Sequence, residues 1–459
     1  MSSEFRLSMH GQWSGRLAFI LAATGSAVGL GNIWKFPYIT GDNGGGAFVI
    51  VYLICILLIG IPVMMAEILL GRKGGLSPIN TMAMLAREEN RHWLWRGLGW
   101  MGAIAGLLIL SYYSVIAGWA MAYTVRMASG VFVGATADGA TSIFVALTSD
   151  PERLLAWHTL FMLITMMVVS RGVQHGLEKA VRFLMPLLLI MLLILVGYAT
   201  TTGAFTEGLN YLFYPDFSKL SSDSVLVAMG HAFFTLSLGM GAIMAYGAYL
   251  PKNISIAKTT FMIAGADTLV ALFAGLAIFP IVFAHQMAPA AGPGLIFKTL
   301  PIAFGQMDYG ILFGTLFFVL IVFAAWTSAI SLIEPMVAWL VENKNLSRIK
   351  ASVYIGMLTW FIGIGSVLSF NVWEKATWSI PGLFQSINFF DTLDALTANI
   401  LLPLGGLFIA VFVGHLMSRR KVLEELDTQA LLFKIWYALI RYVSPLLIII
   451  VFLKAIKFI

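Results

Sequence analysis

Gly25-Ser26-Ala27-Val28-Gly29-Leu30-Gly31-Asn32 interrupts the first apolar run of the chain, and the reading of this octet decides the fold. Two glycines flank a single residue, with serine before and asparagine after, so continuous helix is poor there and backbone amides and carbonyls are set free. At membrane depth freed backbone groups need partners inside the protein. An ion and a polar solute are such partners, which points to transport rather than anchoring.

The surrounding composition fits a membrane chain. Of 459 residues 59% are hydrophobic and only 11% charged, against about 25% charged in an ordinary soluble domain. The net charge of +6 lies in short loops between apolar runs, so it reads as a topology signal and not as a nucleic-acid surface. A single cysteine, Cys55, excludes an internal disulfide. The polar N-terminus runs into a long apolar stretch with no cleavage signal, so the expectation is a retained first span.

A hydrocarbon core takes about 20 apolar residues per helix. Eleven runs meet or approach that length, starting near residues 17, 44, 97, 154, 181, 224, 257, 310, 351, 395 and 435. The loop carrying Arg72, Lys73, Arg87, Arg91 and Arg96 is basic, and so are alternate later loops with Arg171, Lys179, Arg182, Lys252, Lys258, Lys344, Arg348, Lys350, Arg419, Arg420 and Lys421. Those loops and the N-terminus are expected in the cytoplasm, and the C-terminus outside. The intervening loops hold Asp138, Asp150, Glu152, Glu207, Asp216 and Asp223.

A second break lies in the sixth run, at Ser237-Leu238-Gly239-Met240-Gly241. It repeats the serine and the spaced glycines of the first, five runs later, an odd offset that inverts one half of the chain against the other. Matched interruptions in two inverted halves point to a transporter binding site. The expected architecture is an all-α membrane protein of 11 transmembrane helices, one transporter domain over 1–459. Within it lie a five-plus-five inverted repeat (13–202 and 224–418), discontinuous first and sixth helices, and an additional helix at 434–457.

Several further motifs accompany the octet: Phe36-Pro37, Asn43-Gly44-Gly45-Gly46-Ala47-Phe48, Gly60-Ile61-Pro62 with Glu67, Gly71-Arg72, and Phe233-Phe234-Thr235-Leu236-Ser237-Leu238-Gly239. In this order they resemble a bacterial member of the neurotransmitter:sodium symporter family nearly end to end. The resemblance implies sodium-coupled uptake of an amino acid by alternating access in the bacterial inner membrane, with two sodium ions and no enzymatic activity.

By that resemblance one sodium takes the carbonyl of Ala27, the side chain of Asn32, Thr235, and a ligand from the seventh run, where the chain presents Asp267. The other takes carbonyls of Gly25, Val28 and Ala324 with the hydroxyls of Thr327 and Ser328. Such oxygen sets suit a small, hard cation. Many relatives have asparagine where Asp267 stands, and a carboxylate supplies its own negative charge, so chloride is not expected as a cofactor.

The same resemblance places an aspartate at the Gly29 position in amine carriers, so its absence favours an amino acid. The substrate's carboxylate would meet the amides of Leu30 and Gly31 and the hydroxyl of Tyr113. Its ammonium would meet carbonyls near Ser26, Ala27, Phe234 and Thr235 and the hydroxyl of Ser237. Ile109, Tyr113, Phe234, Met240, Ser328 and Leu332 would line an apolar pocket that accepts aromatic or branched aliphatic side chains.

Lys35 and Asp394 match the charged pair of the outer gate. Trp13, Tyr249 and Glu342 match the inner one, where His10 replaces an arginine and Arg6 is a substitute. Two other readings stay open: a proton-coupled carrier using Asp267 or Glu334, and a sensor that binds without transport. No nucleic-acid partner is expected, and the membrane lipid is the solvent.

Overall fold

The computed structural model describes residues 10–289, 294–380, 384–426 and 428–455. Among them nine helices are long and apolar enough to cross a membrane: Gly46–Gly74, Trp93–Ala128, Pro151–Val169, Val173–Ala199, Ile256–Ala284, Gly310–Lys344, Arg348–Leu368, Phe389–Leu416 and Ala430–Lys454. A tenth is the bent pair Arg16–Ala27 and Gly31–Asp42, which meet at 49°. The eleventh is Ser222–Thr235 followed, after an unwound stretch at 236–241, by Ala242–Ala248. Numbered in chain order these are spans 1 to 11, with the interrupted helices as spans 1 and 6. The last span starts four residues before the expected 434, and the expected end at 457 lies outside the described residues.

Local chemistry fixes where the spans begin. Asp150 accepts the Arg153 amide at 3.0 Å with Pro151 at the first helical position, and Ser255, Ser347 and Asn388 cap spans 7, 9 and 10 in the same way. Ser221 and Ser224 cap span 6 reciprocally. Span 2 accommodates Pro62 with a π-helical turn at Ile56–Gly60, because the proline lacks the amide for the regular bond.

Spans 3 and 8 form the centre. In their apolar windows 83% and 72% of residues are buried, against 33% in span 4 and 39% in spans 5 and 11, which present their outer faces to lipid. Close approach is set by small residues. A side chain at Gly106 would meet the Leu332 carbonyl at 2.6 Å, and Trp100 packs edge-on to Trp339 at 4.6 Å. Short helices decorate both faces. Pro78–Glu88 and Arg419–Leu426 lie on the face where the chain starts, and Ala137–Thr148, Phe205–Phe213 and Leu300–Gln306 on the other, with a two-stranded hairpin of Trp378–Ile380 and Phe384–Ile387.

Candidate ion and solute site

Spans 1 and 6 break at the same depth and are tied together there. Ser237 adopts φ +54°, a region serine rarely enters, and its hydroxyl donates to the Ser26 carbonyl at 2.8 Å. Gly239 has φ +77°, and a Cβ on it would lie 2.5 Å from the Leu402 carbonyl of span 10, so both conformation and space demand glycine. Its amide donates to the buried Glu67 Oε1 at 2.5 Å.

Two oxygen clusters flank the break in span 1. In the first, Asn32 donates to the Asp267 carboxylate at 2.7 Å and to the Asp267 carbonyl at 3.0 Å, and the Thr235 hydroxyl donates to the same carboxylate at 3.1 Å. Asn32 Oδ1 in turn accepts the Gly29 amide at 3.0 Å. Ala27 closes the first helix, so its carbonyl lies at the break.

In the second cluster the Ser328 hydroxyl lies 3.4 Å from the Gly25 carbonyl, 3.1 Å from that of Ser26 and 3.2 Å from that of Val28. One hydroxyl proton cannot satisfy three carbonyls, so surplus lone pairs converge, which is what a hard cation uses. Beside it the Thr327 hydroxyl bonds back to the Ala324 carbonyl at 3.0 Å. Among the described residues no group of three His, Cys, Asp or Glu could hold a transition metal.

The residues expected to meet a solute adjoin the break of span 1. Leu30 donates its amide to the Tyr113 hydroxyl at 3.2 Å, so two of the donors assigned to a carboxylate already converge. A Cβ on Gly29 would stand 2.5 Å from Ser328 Oγ and 2.8 Å from the Tyr113 hydroxyl, so a side chain there would require those hydroxyls to shift. A Cβ on Gly31 would press on the Phe234 ring at 3.2 Å. Ile109, Met240 and Leu332 are all buried.

The pairing expected of Lys35 and Asp394 is not formed among the described residues. The Lys35 ammonium instead lies 4.8 Å from the centroid of the Phe234 ring, a cation–π placement open to a flexible point charge, while Asp394 lies beside the Tyr112 hydroxyl.

The face where the chain starts is tied across. Trp13 is buried, donates from its indole to the Tyr246 carbonyl at 3.0 Å, and bonds by its amide to the Tyr249 carbonyl at 3.0 Å. Glu342 meets His10 at 3.0 Å and accepts from the Ser77 amide at 2.6 Å and from Asn80 at 2.7 Å. Arg6 lies outside the described residues.

Sequence reasoning missed two parts of this arrangement. Ser26 donates to Ser331 at 2.7 Å, and Ser331 to the Ser328 carbonyl at 2.8 Å, a hydroxyl chain joining the two spans. The i, i+3 spacing of Ser328 and Ser331 was its one available signal. Glu334, read as one alternative proton site, is paired with Arg348 and accepts the Tyr249 hydroxyl at 2.7 Å, ties that the sequence did not signal. That pairing holds the ends of spans 6, 8 and 9 together.

Two broken helices tied together at their breaks, with oxygen clusters beside them and further ties toward one face, define a membrane transporter of the inverted-repeat kind. The chain belongs to the sodium:neurotransmitter symporter family, whose model matches residues 10–132 and 149–459. It is 38% identical over 449 residues to an uncharacterized sodium-dependent transporter of Bacillus subtilis, YhdH, covering 97% of each chain. It is 32% identical to another such transporter of Haemophilus influenzae, covering 96% of this chain and 97% of that one. Among solved structures it is similar to MhsT in complex with L-phenylalanine, with TM-score 0.89, 42% identity and coverage of 97% of this chain and 99% of that one.

Proposed function

We propose that this protein carries a neutral amino acid with an apolar side chain across the bacterial inner membrane together with two sodium ions and without chloride. The face bearing the N-terminus is then cytoplasmic and the C-terminus lies outside. The observation that carries the reading is the pair of oxygen clusters, Asn32–Thr235–Asp267 and Gly25–Val28–Ser328, on opposite sides of one helix break. Ala27 completes the first cluster, and Ala324 and Thr327 the second.

The buried Asp267 contributes a full negative charge to the first cluster, which offsets one sodium without an external anion. The apolar lining of Ile109, Phe234, Met240 and Leu332 favours aromatic and branched aliphatic side chains, since a buried charge without a partner is costly. The L-phenylalanine bound to MhsT, at 42% identity, supports the same substrate class. Gly29 carries no side chain, so the anion that an amine lacking a carboxylate would need is absent at that position.

Equilibrium binding of labelled L-phenylalanine and L-leucine to the purified protein tests this directly. Binding should rise with sodium with a Hill coefficient approaching two and be unchanged when gluconate replaces chloride. Binding that needs no sodium would refute the reading.

A further inference from the structure

On the face where the chain starts, a groove of about 720 Å³ opens between the Arg419–Leu426 helix and the beginning of span 11, lined by Arg419, Arg420, Leu423, Glu424, Phe433 and Lys434. It has no part in the transport site.

The helix forming one wall is held firmly. Arg72 pairs with the Glu425 carboxylate at 2.6 Å and also reaches the Glu425 carbonyl, and Lys421 meets Glu89 at 2.7 Å. That wall of the groove is therefore preformed.

Among the described residues Arg419 and Lys434 have no carboxylate partner. The Arg419 guanidinium lies over the rings of Phe433 and Tyr437, at 5.7 and 5.4 Å. Arg420 pairs with Glu424 at 2.7 Å, but both side chains are largely exposed, so that pair is weak. Its hydrogen bond from Arg420, with the nearby charges of Lys73 and Lys421, holds the Glu424 carboxyl below the usual carboxylate range. Asp427, next in the loop, lies outside the described residues. Gln429 leaves the first amides of span 11 without a side-chain cap, which adds partial positive charge at the mouth.

Apolar surface adjoins these charges. Leu431 is 70% exposed and Ile435 51%, on the lipid-facing side of the same span. A free phosphate would gain nothing from them, whereas a lipid presents an anionic head and acyl chains in that order. Basic pockets at the cytoplasmic ends of membrane helices suit such headgroups.

We propose that this groove binds the phosphodiester headgroup of an anionic phospholipid, with Arg420 and Lys434 contacting the phosphate and Leu431 and Ile435 lying along the acyl chains. The assignment is independent of which solute the protein carries, and depends on the proposed orientation only for naming the leaflet.

The test is native mass spectrometry of the full chain released from detergent with phosphatidylglycerol or phosphatidylcholine of identical acyl chains. Each basic side chain near a headgroup is worth about fivefold in binding. Wild type should therefore retain phosphatidylglycerol over phosphatidylcholine by about tenfold or more. Arg420→Gln with Lys434→Gln should abolish that preference, and Arg153→Gln with Lys375→Gln, on the opposite face, should keep it. Lys434→Gln alone should weaken the preference if the double variant fails to fold. No preference in wild type, or a preference that survives the groove variants, would overturn the proposal. So would inorganic phosphate raising the unfolding temperature as much as phosphatidylglycerol does, since the groove would then be a small-anion site.

Discussion

At the scale of single residues, three positions test the proposed site. Gly29 is closed in by Ser328 Oγ and the Tyr113 hydroxyl, so Gly29→Asp should abolish amino-acid binding rather than convert the protein to an amine carrier. Radioligand binding for both classes checks this, and amine transport by the variant would contradict it. Tyr113→Phe removes the hydroxyl that meets the Leu30 amide. A hydrogen bond to a charged group is worth about 1.5–3 kcal/mol, so the affinity for L-phenylalanine should fall by roughly 10-fold or more, with the fold unchanged by circular dichroism. Asp267→Asn keeps the geometry toward Asn32 and Thr235 but removes the charge. The sodium concentration for half-maximal binding should rise several-fold, read by sodium titration.

At the scale of elements, the two breaks and the order of spans were readable because glycine spacing and apolar run length follow directly from backbone conformation and bilayer thickness. The carbonyls of Gly25 and Val28 and the Ser328 hydroxyl were found through motif likeness, and the structure places each carbonyl within 3.4 Å of that hydroxyl. The placement of Lys35 over Phe234 rather than against Asp394 was not readable. Whether a lysine meets a carboxylate or an aromatic face depends on a few ångströms between spans 1, 6 and 10, which no local pattern encodes.

The Glu334–Arg348–Tyr249 ties were hidden for a related reason, since they join three separate spans. Gly239→Ala imposes a Cβ on a φ of +77° and against the Leu402 carbonyl. It should destabilise the protein by about 1–3 kcal/mol, seen as a lower unfolding temperature together with lost uptake. Trp13 is tied to Tyr246 and Tyr249 on the face where the chain starts, so Trp13→Ala should bias the protein toward opening on that face. Faster labelling of a cysteine introduced near Ser14 would show it, and unchanged labelling would argue that Glu342 alone holds the gate.

At the scale of the whole molecule, inverted halves around one site allow the same clusters to face either side in turn, and the number of sodium ions sets how far the solute can be concentrated. Two ions moved through 100 mV with a tenfold gradient supply about 7 kcal/mol, enough for accumulation on the order of 10⁵-fold. One ion gives a few hundredfold. The central claim is therefore tested most directly by uptake of labelled L-phenylalanine into proteoliposomes with the sodium gradient, membrane potential, pH gradient and chloride set independently. The account predicts that the reversal condition shifts with two sodium ions per amino acid and is indifferent to chloride. Uptake driven by a proton gradient in the absence of sodium would contradict it.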